Sequence, residues 1–65
     1  MKTAQGIIEK DIRNFTFHYS YHTADAGLHV VIGKIGLAAE LEFITLYEME
    51  QYIDLLFYEH AKAKK

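Results

Sequence analysis

The chain has 65 residues, a formal net charge of −2 and a hydrophobic fraction of 51%. It contains no cysteine, which excludes disulfides and thiolate zinc sites. A chain this short buries only about 60% of the surface that its unfolded form exposes, so a lone monomer is marginally stable. We therefore expect residues 1–65 to form one small domain, without a cofactor, that associates with itself.

The first predicted element is a short helix near the N-terminus. Ala4, Ile7, Ile8 and Ile12 recur at the spacing of one helix face. Gly6 lowers the helix propensity of the segment. A strand, however, would place charged side chains on the same face as the aromatic side chains that follow. The segment therefore favours a helix.

The middle of the chain predicts three antiparallel strands joined as a meander. Residues 14–22 alternate aromatic and polar side chains, which is typical of a strand with one buried face. Residues 28–34 are rich in β-branched side chains, and residues 38–43 alternate again. Glycine-containing segments at 25–27 and 34–36 are predicted to form the turns between these strands.

A capping box predicts the start of the last helix. Thr45 and Glu48 stand three residues apart, just before an apolar stripe with helical spacing. The helix is expected to begin within two residues of Leu46. A single helix from Leu37 through Ala61 is the competing interpretation, but it would place a capping box in a helix interior.

The predicted fold class is therefore α+β, in the order α-β-β-β-α. It consists of a short N-terminal helix, a three-stranded antiparallel meander and a C-terminal amphipathic helix packed on one sheet face. If the aromatic side chains face the core, His22 lies opposite His29, and Glu42 or Glu40 lies beside His29. The main interpretation of this opposite face is an ordinary hydrated surface. The alternatives are a pH-sensitive contact and a metal site at His22, His29 and Glu42.

Signatures of catalysis are absent from the sequence. There is no glycine-rich phosphate loop, no helical His-x-x-x-His pair and no cysteine nucleophile. A chain of 65 residues also provides little material for a pocket that excludes water. We predict that the protein is not an enzyme. The sequence shows no signal-peptide pattern and no apolar run of membrane-spanning length, which predicts a cytoplasmic protein that does not bind membranes.

The charges are distributed unevenly along the chain. Between Ile35 and Ala61 there are six acids and no lysine or arginine, which argues against nucleic acid and suits a protein partner. The sequence thus predicts a homodimeric protein-interaction module, a small regulator or inhibitor of another protein. A small nucleic-acid-binding protein and a metal- or ligand-binding domain are the alternatives. The predicted contact residues lie on the acidic last helix: Glu48, Tyr52, Leu55, Tyr58 and Glu59. Of these, Tyr52, Leu55 and Tyr58 are the expected contact of the dimer.

Overall fold

The computed structural model describes residues 3–65, and within this range every regular element is a helix. Helix α1 spans Ala4–Arg13, α2 spans Phe15–His18, α3 spans Ala24–Glu40 and α4 spans Leu46–Ala63. The predicted α+β fold is therefore wrong. The segments predicted as the meander form α2, α3 and the turn before α4, so the C-terminal helix packs on α3 instead of a sheet.

Helix α1 lies where a helix was predicted, and its ends show why it forms. The side chain of Thr3 accepts a hydrogen bond from the amide of Gly6 at 3.0 Å, which satisfies one of the unpaired donors of the first turn. Lys10 and Arg13 stand in the last turn, where cations interact favourably with the helix dipole. The buried residues of α1 are Ile8 and Ile12.

The aromatic alternation of residues 14–22 does not produce a strand. Phe15 is fully buried, whereas Phe17 is 86% exposed and Tyr21 is also exposed. The rings of Phe15 and Tyr19 contact each other at a centroid distance of 4.9 Å, a pair with the i, i+4 spacing of one helical turn. The alternation therefore does not mark a common buried face, which is what a strand would require.

Helix α3 contains the segments predicted as the second strand and the start of the third. Its buried residues are three or four positions apart, as on one face of a helix: Ala24, Gly27, Val31, Ile35 and Ala38. The β-branched residues at 30–32 lower helix propensity by only a few tenths of a kcal/mol each. Burial of this face outweighs that penalty, because most helix stability in proteins comes from tertiary packing.

A turn with the hydrogen bonds of a Schellman motif ends α3. The amide of Phe43 donates to the carbonyl of Ala38 at 2.8 Å, and the amide of Glu42 donates to the carbonyl of Ala39 at 3.0 Å. Glu42 has a φ of 62°, the left-handed conformation that this motif requires and that glycine usually supplies. The turn reverses the chain, so that α4 runs back along α3.

Replacement of Glu42 with glycine should raise the free energy of unfolding by about 1 kcal/mol, because a Cβ in the left-handed region costs about that much. Urea denaturation monitored by circular dichroism measures the change. Glu50→Gly, at an exposed position in the second turn of α4, is the matched control and should lower the free energy of unfolding by about 1 kcal/mol. A loss of stability in both variants would contradict the prediction.

Helix α4 begins at Leu46, as the capping box predicted. The amide of Thr45 donates to Oε1 of Glu48 at 2.9 Å, and the amide of Glu48 donates to Oγ1 of Thr45 at 3.0 Å. Two donors that a helix start leaves unpaired are thereby satisfied. The predicted start is confirmed, and the competing single helix from Leu37 through Ala61 is excluded by the turn.

Helices α3 and α4 form an antiparallel hairpin, and α1 and α2 pack against one side of it. The Cα atoms extend over 33 × 23 × 15 Å, so the molecule is thin and its core is small. In the part of the chain that the structure describes, no helix has the length and apolar character needed to cross a membrane. The core consists of Ile8, Ile12, Phe15, Ala24, Val31, Ile35, Ala38, Ile44, Tyr52 and Leu56.

Candidate interaction surface

Helix α3 is apolar around most of its circumference, but its own chain covers only one side of it. Its charged residues are Asp25, Lys34 and Glu40. A helix that is apolar all round is normally buried on all sides. Here Val30 is 50% exposed and Leu37 is 56% exposed. On the uncovered side, we call the surface formed by His29, Val30, Gly33, Gly36, Leu37 and Glu40 the outer face of α3. Three other residues of the helix are also exposed: Asp25, Ala26 and Lys34.

Helical spacing arranges the outer face of α3 as a symmetric stripe. His29, Gly33, Gly36 and Glu40 follow one another at intervals of four, three and four residues, so they lie on one line along the helix. The stripe has a polar residue at each end and two glycines between them. The large apolar side chains of the face stand beside this line.

The glycines of the outer face are not explained by packing within the chain. A Cβ at Gly33 or Gly36 would meet no atom within 4 Å, although glycine in a helix interior costs about 0.5–1 kcal/mol relative to alanine. Gly27, on the buried face, is different, because a Cβ there would lie 2.5 Å from the ring of Tyr19. The core therefore requires Gly27, whereas open space surrounds the other two.

An apolar groove of about 210 Å³ between α1 and α3 adjoins the outer face. Lys34 lies at the groove, and its ammonium group pairs with Asp11 at 3.0 Å. The groove joins the exposed apolar surface of α3 to that of α1. Its exposed apolar lining consists of Ile7, Leu37, Leu41 and Phe43.

Two of the contact residues predicted on α4 have roles within the chain. Glu48 forms the capping box with Thr45. Tyr52 belongs to the core, with only 7% of its surface exposed, and its hydroxyl donates to Glu9 at 3.4 Å. Burial, reinforced by the Glu9 and Glu48 carboxylates, raises the pKa of Tyr52. Neither side chain presents apolar surface to a partner.

The other three predicted contact residues differ in exposure, since only 16% of the Glu59 side chain is exposed. Glu59 pairs with Lys62 at 3.0 Å beside a groove of about 480 Å³ between α1 and α4. Leu55 and Tyr58 are exposed, and the ammonium group of Lys62 lies 4.6 Å from the centre of the Tyr58 ring. Of the five predicted residues, these two present exposed apolar surface.

The predicted arrangement of histidines and glutamates is wrong. It required a sheet, but His22 lies in the turn before α3, His29 on the outer face of α3 and Glu42 in the turn after it. Glu40 lies eleven residues after His29 on the same helix, about 16 Å along the axis at 1.5 Å per residue. Among residues 3–65, no group of three or more histidine, aspartate or glutamate side chains could hold a metal ion.

A polar cluster joins the start of α3 to the end of α4. The Nε2 atom of His60 lies 2.8 Å from Oδ1 of Asp25, and the ammonium group of Lys64 lies 3.5 Å from Oδ2. The hydrogen bond from His60, reinforced by the charge of Lys64, lowers the pKa of Asp25. The cluster therefore stabilises the open end of the helical hairpin, away from the turn that joins α3 to α4, when Asp25 is ionised.

Because the pKa of Asp25 is lower in the folded chain than its ordinary value of 3.8, its contribution to stability is present above that value. The contribution is lost as the pH falls through the folded pKa. Urea denaturation between pH 2 and pH 7 should therefore show that Asp25→Asn lowers the free energy of unfolding at neutral pH, and that the difference from the wild type vanishes in acid. Asp54→Asn is the control and should follow the wild type. A constant difference at every pH would contradict the prediction.

Sequence reasoning did not identify the outer face of α3. The spacing of Ala24, Val31, Ile35 and Ala38 could have indicated it. A helix that buries those residues has Gly33 on its exposed side. The chain matches no protein-family model, no curated protein and no solved structure. The most distinctive feature of its own surface is the outer face of α3.

Proposed function

We propose that the protein is a non-enzymatic, homodimeric protein-interaction module that dimerises through the outer face of α3. The observation that carries the proposal is the apolar helix α3, of which its own chain covers only one side. Two copies that meet there remove Val30 and Leu37 of both chains from water. Obligate interfaces resemble a domain core cut in half, and the apolar composition of α3 is of that kind.

The exposed apolar side chains of the molecule suit such an interface. Among residues 3–65, twelve large apolar side chains are exposed, while only ten residues form the core. Of the twelve, Val30 and Leu37 lie on the outer face of α3, and the adjoining groove is lined by Leu37 together with Ile7, Leu41 and Phe43. A contiguous apolar patch of this kind is typical of an interaction site.

The outward side of α4 stays accessible in this dimer, and we assign it to a second protein. Leu55 and Tyr58 are exposed there, and Glu50 and Asp54 lie on the exposed part of the same helix. Aromatic side chains are enriched at protein interfaces, and the acidic charge favours a basic partner. The dimer then acts in the cytoplasm as a small regulator or inhibitor of that protein.

Sedimentation at micromolar concentration should report about twice the chain mass of 7.5 kDa. Leu37→Glu should give a monomer, because it places an unpaired charge at the interface. Leu55→Glu is the matched control, since Leu55 is exposed to a similar extent, 53% against 56%, but lies on α4. It should leave the dimer intact. A wild-type monomer at every concentration, or equal loss of the dimer in both variants, would contradict the proposal.

A further inference from the structure

We infer that the two α3 helices of the dimer pack antiparallel, across a two-fold axis that passes between Gly33 and Gly36. The inference rests on the proposed homodimer and specifies its geometry. His29 and Glu40 lie equally far from the midpoint of the two glycines, on opposite sides of it. An antiparallel pair centred there places Gly33 against the partner subunit's Gly36, and His29 against the partner subunit's Glu40.

The two ends of the stripe are chemically complementary in this arrangement. The imidazole of His29 donates a hydrogen bond to the partner's carboxylate, and it retains an N–H donor even when neutral. A parallel pair would instead place Glu40 against the partner subunit's Glu40, and like charges oppose association. None of the ion pairs between residues 3–65 uses His29 or Glu40, so a second copy finds both side chains available.

The glycines allow the two helix backbones to approach closely. Packed helices lie 8–10 Å apart, depending on the side chains at the contact, and residues without a Cβ permit the shorter distances. The open space around Gly33 and Gly36 is then filled by the partner's backbone. The intervals of four, three and four residues are also those of the seam between two helices in a coiled coil, although the seam there is apolar and here its central positions are glycines. Val30 and Leu37 pack beside this seam.

Cysteine cross-linking tests the geometry, and the chain has no cysteine of its own. A chain that carries both His29→Cys and Glu40→Cys should form covalent dimers under mild oxidation, because each cysteine lies against its counterpart. Each single variant separates its two thiols by about 16 Å along the axis and should not cross-link. A dimeric double variant that does not cross-link, or cross-linking of His29→Cys alone, would overturn the antiparallel arrangement.

Charge exchange provides a second test that does not depend on disulfide geometry. His29→Glu should weaken dimerisation about tenfold, because it places two carboxylates together twice in each dimer. The exchanged variant, His29→Glu with Glu40→His, has the wild-type composition and should recover most of the lost affinity. Unchanged dimerisation of His29→Glu, or no recovery in the exchanged variant, would overturn the arrangement while the homodimer stands. A monomeric wild type would instead contradict the homodimer itself.

Discussion

Ile35→Ala should lower the free energy of unfolding by about 2–5 kcal/mol, the range measured when a buried isoleucine or leucine is truncated. Ile35 has no exposed surface and lies on the side of α3 that faces the other helices. Small domains have only about 5–15 kcal/mol of total stability. We therefore expect thermal melting followed by circular dichroism to show a much lower midpoint, or an unfolded chain at 37 °C.

Leu37→Ala is the matched control for this variant. Leu37 lies two positions further along α3 and is 56% exposed, so its truncation should change the stability of the isolated chain by less than about 1 kcal/mol. It should, however, weaken the dimer. The same melting midpoint for both variants at a concentration where the protein is monomeric would show that the two sides of α3 are not different, and would contradict the assignment of the core.

Gly27→Ala should lower the free energy of unfolding by about 1–3 kcal/mol, because it overpacks a close contact. The added Cβ would lie between 2.5 and 2.6 Å from three atoms of the Tyr19 ring. The ring cannot swing away freely, since Phe15 lies against it at a centroid distance of 4.9 Å and is itself fully buried. Urea denaturation gives the loss of stability, and near-ultraviolet circular dichroism reports the displaced tyrosine.

Gly33→Ala is the control for this change, with Leu37→Glu present in both variants so that the chain stays monomeric. A Cβ at Gly33 meets open space, so alanine should stabilise the helix by about 0.5–1 kcal/mol. If the free energy of unfolding falls for Gly27→Ala and rises for Gly33→Ala, only Gly27 is required by the core. Stabilisation by Gly27→Ala would instead mean that the Tyr19 ring is not held over α3.

The start of the last helix could be predicted from the sequence because its signal is local. Thr45 and Glu48 satisfy the unpaired amides of the helix start by themselves, whatever packs around them. The N-terminal helix was predicted from the spacing of its isoleucines, and Ile8 and Ile12 are indeed buried. Each of these signals extends over only a few turns of one helix, so the positions of the other helices were not needed to interpret it.

The predicted contact residues show where such reasoning from one helix stops. A broad apolar band on α4 identifies a helix that packs on something, but not which side is covered. Tyr52 was assigned to a partner but lies in the core, whereas Leu46 and Phe57, which belong to the apolar stripe of the same helix, are exposed. The direction from which α1 and α3 approach decides this, and that direction is a property of the assembled fold.

Only the tertiary structure decided the conformation of the middle of the chain. Residues 28–34 have β-branched side chains, and their preference for strands is weak enough for packing to override it. The helix forms because Val31, Ile35 and Ala38 are buried together against α4 and α1, a gain that depends on residues far away in sequence. The composition and the capping box were sufficient to predict a small, cysteine-free domain that ends in a helix. The outer face of α3 became visible only when the folded chain had covered the opposite side.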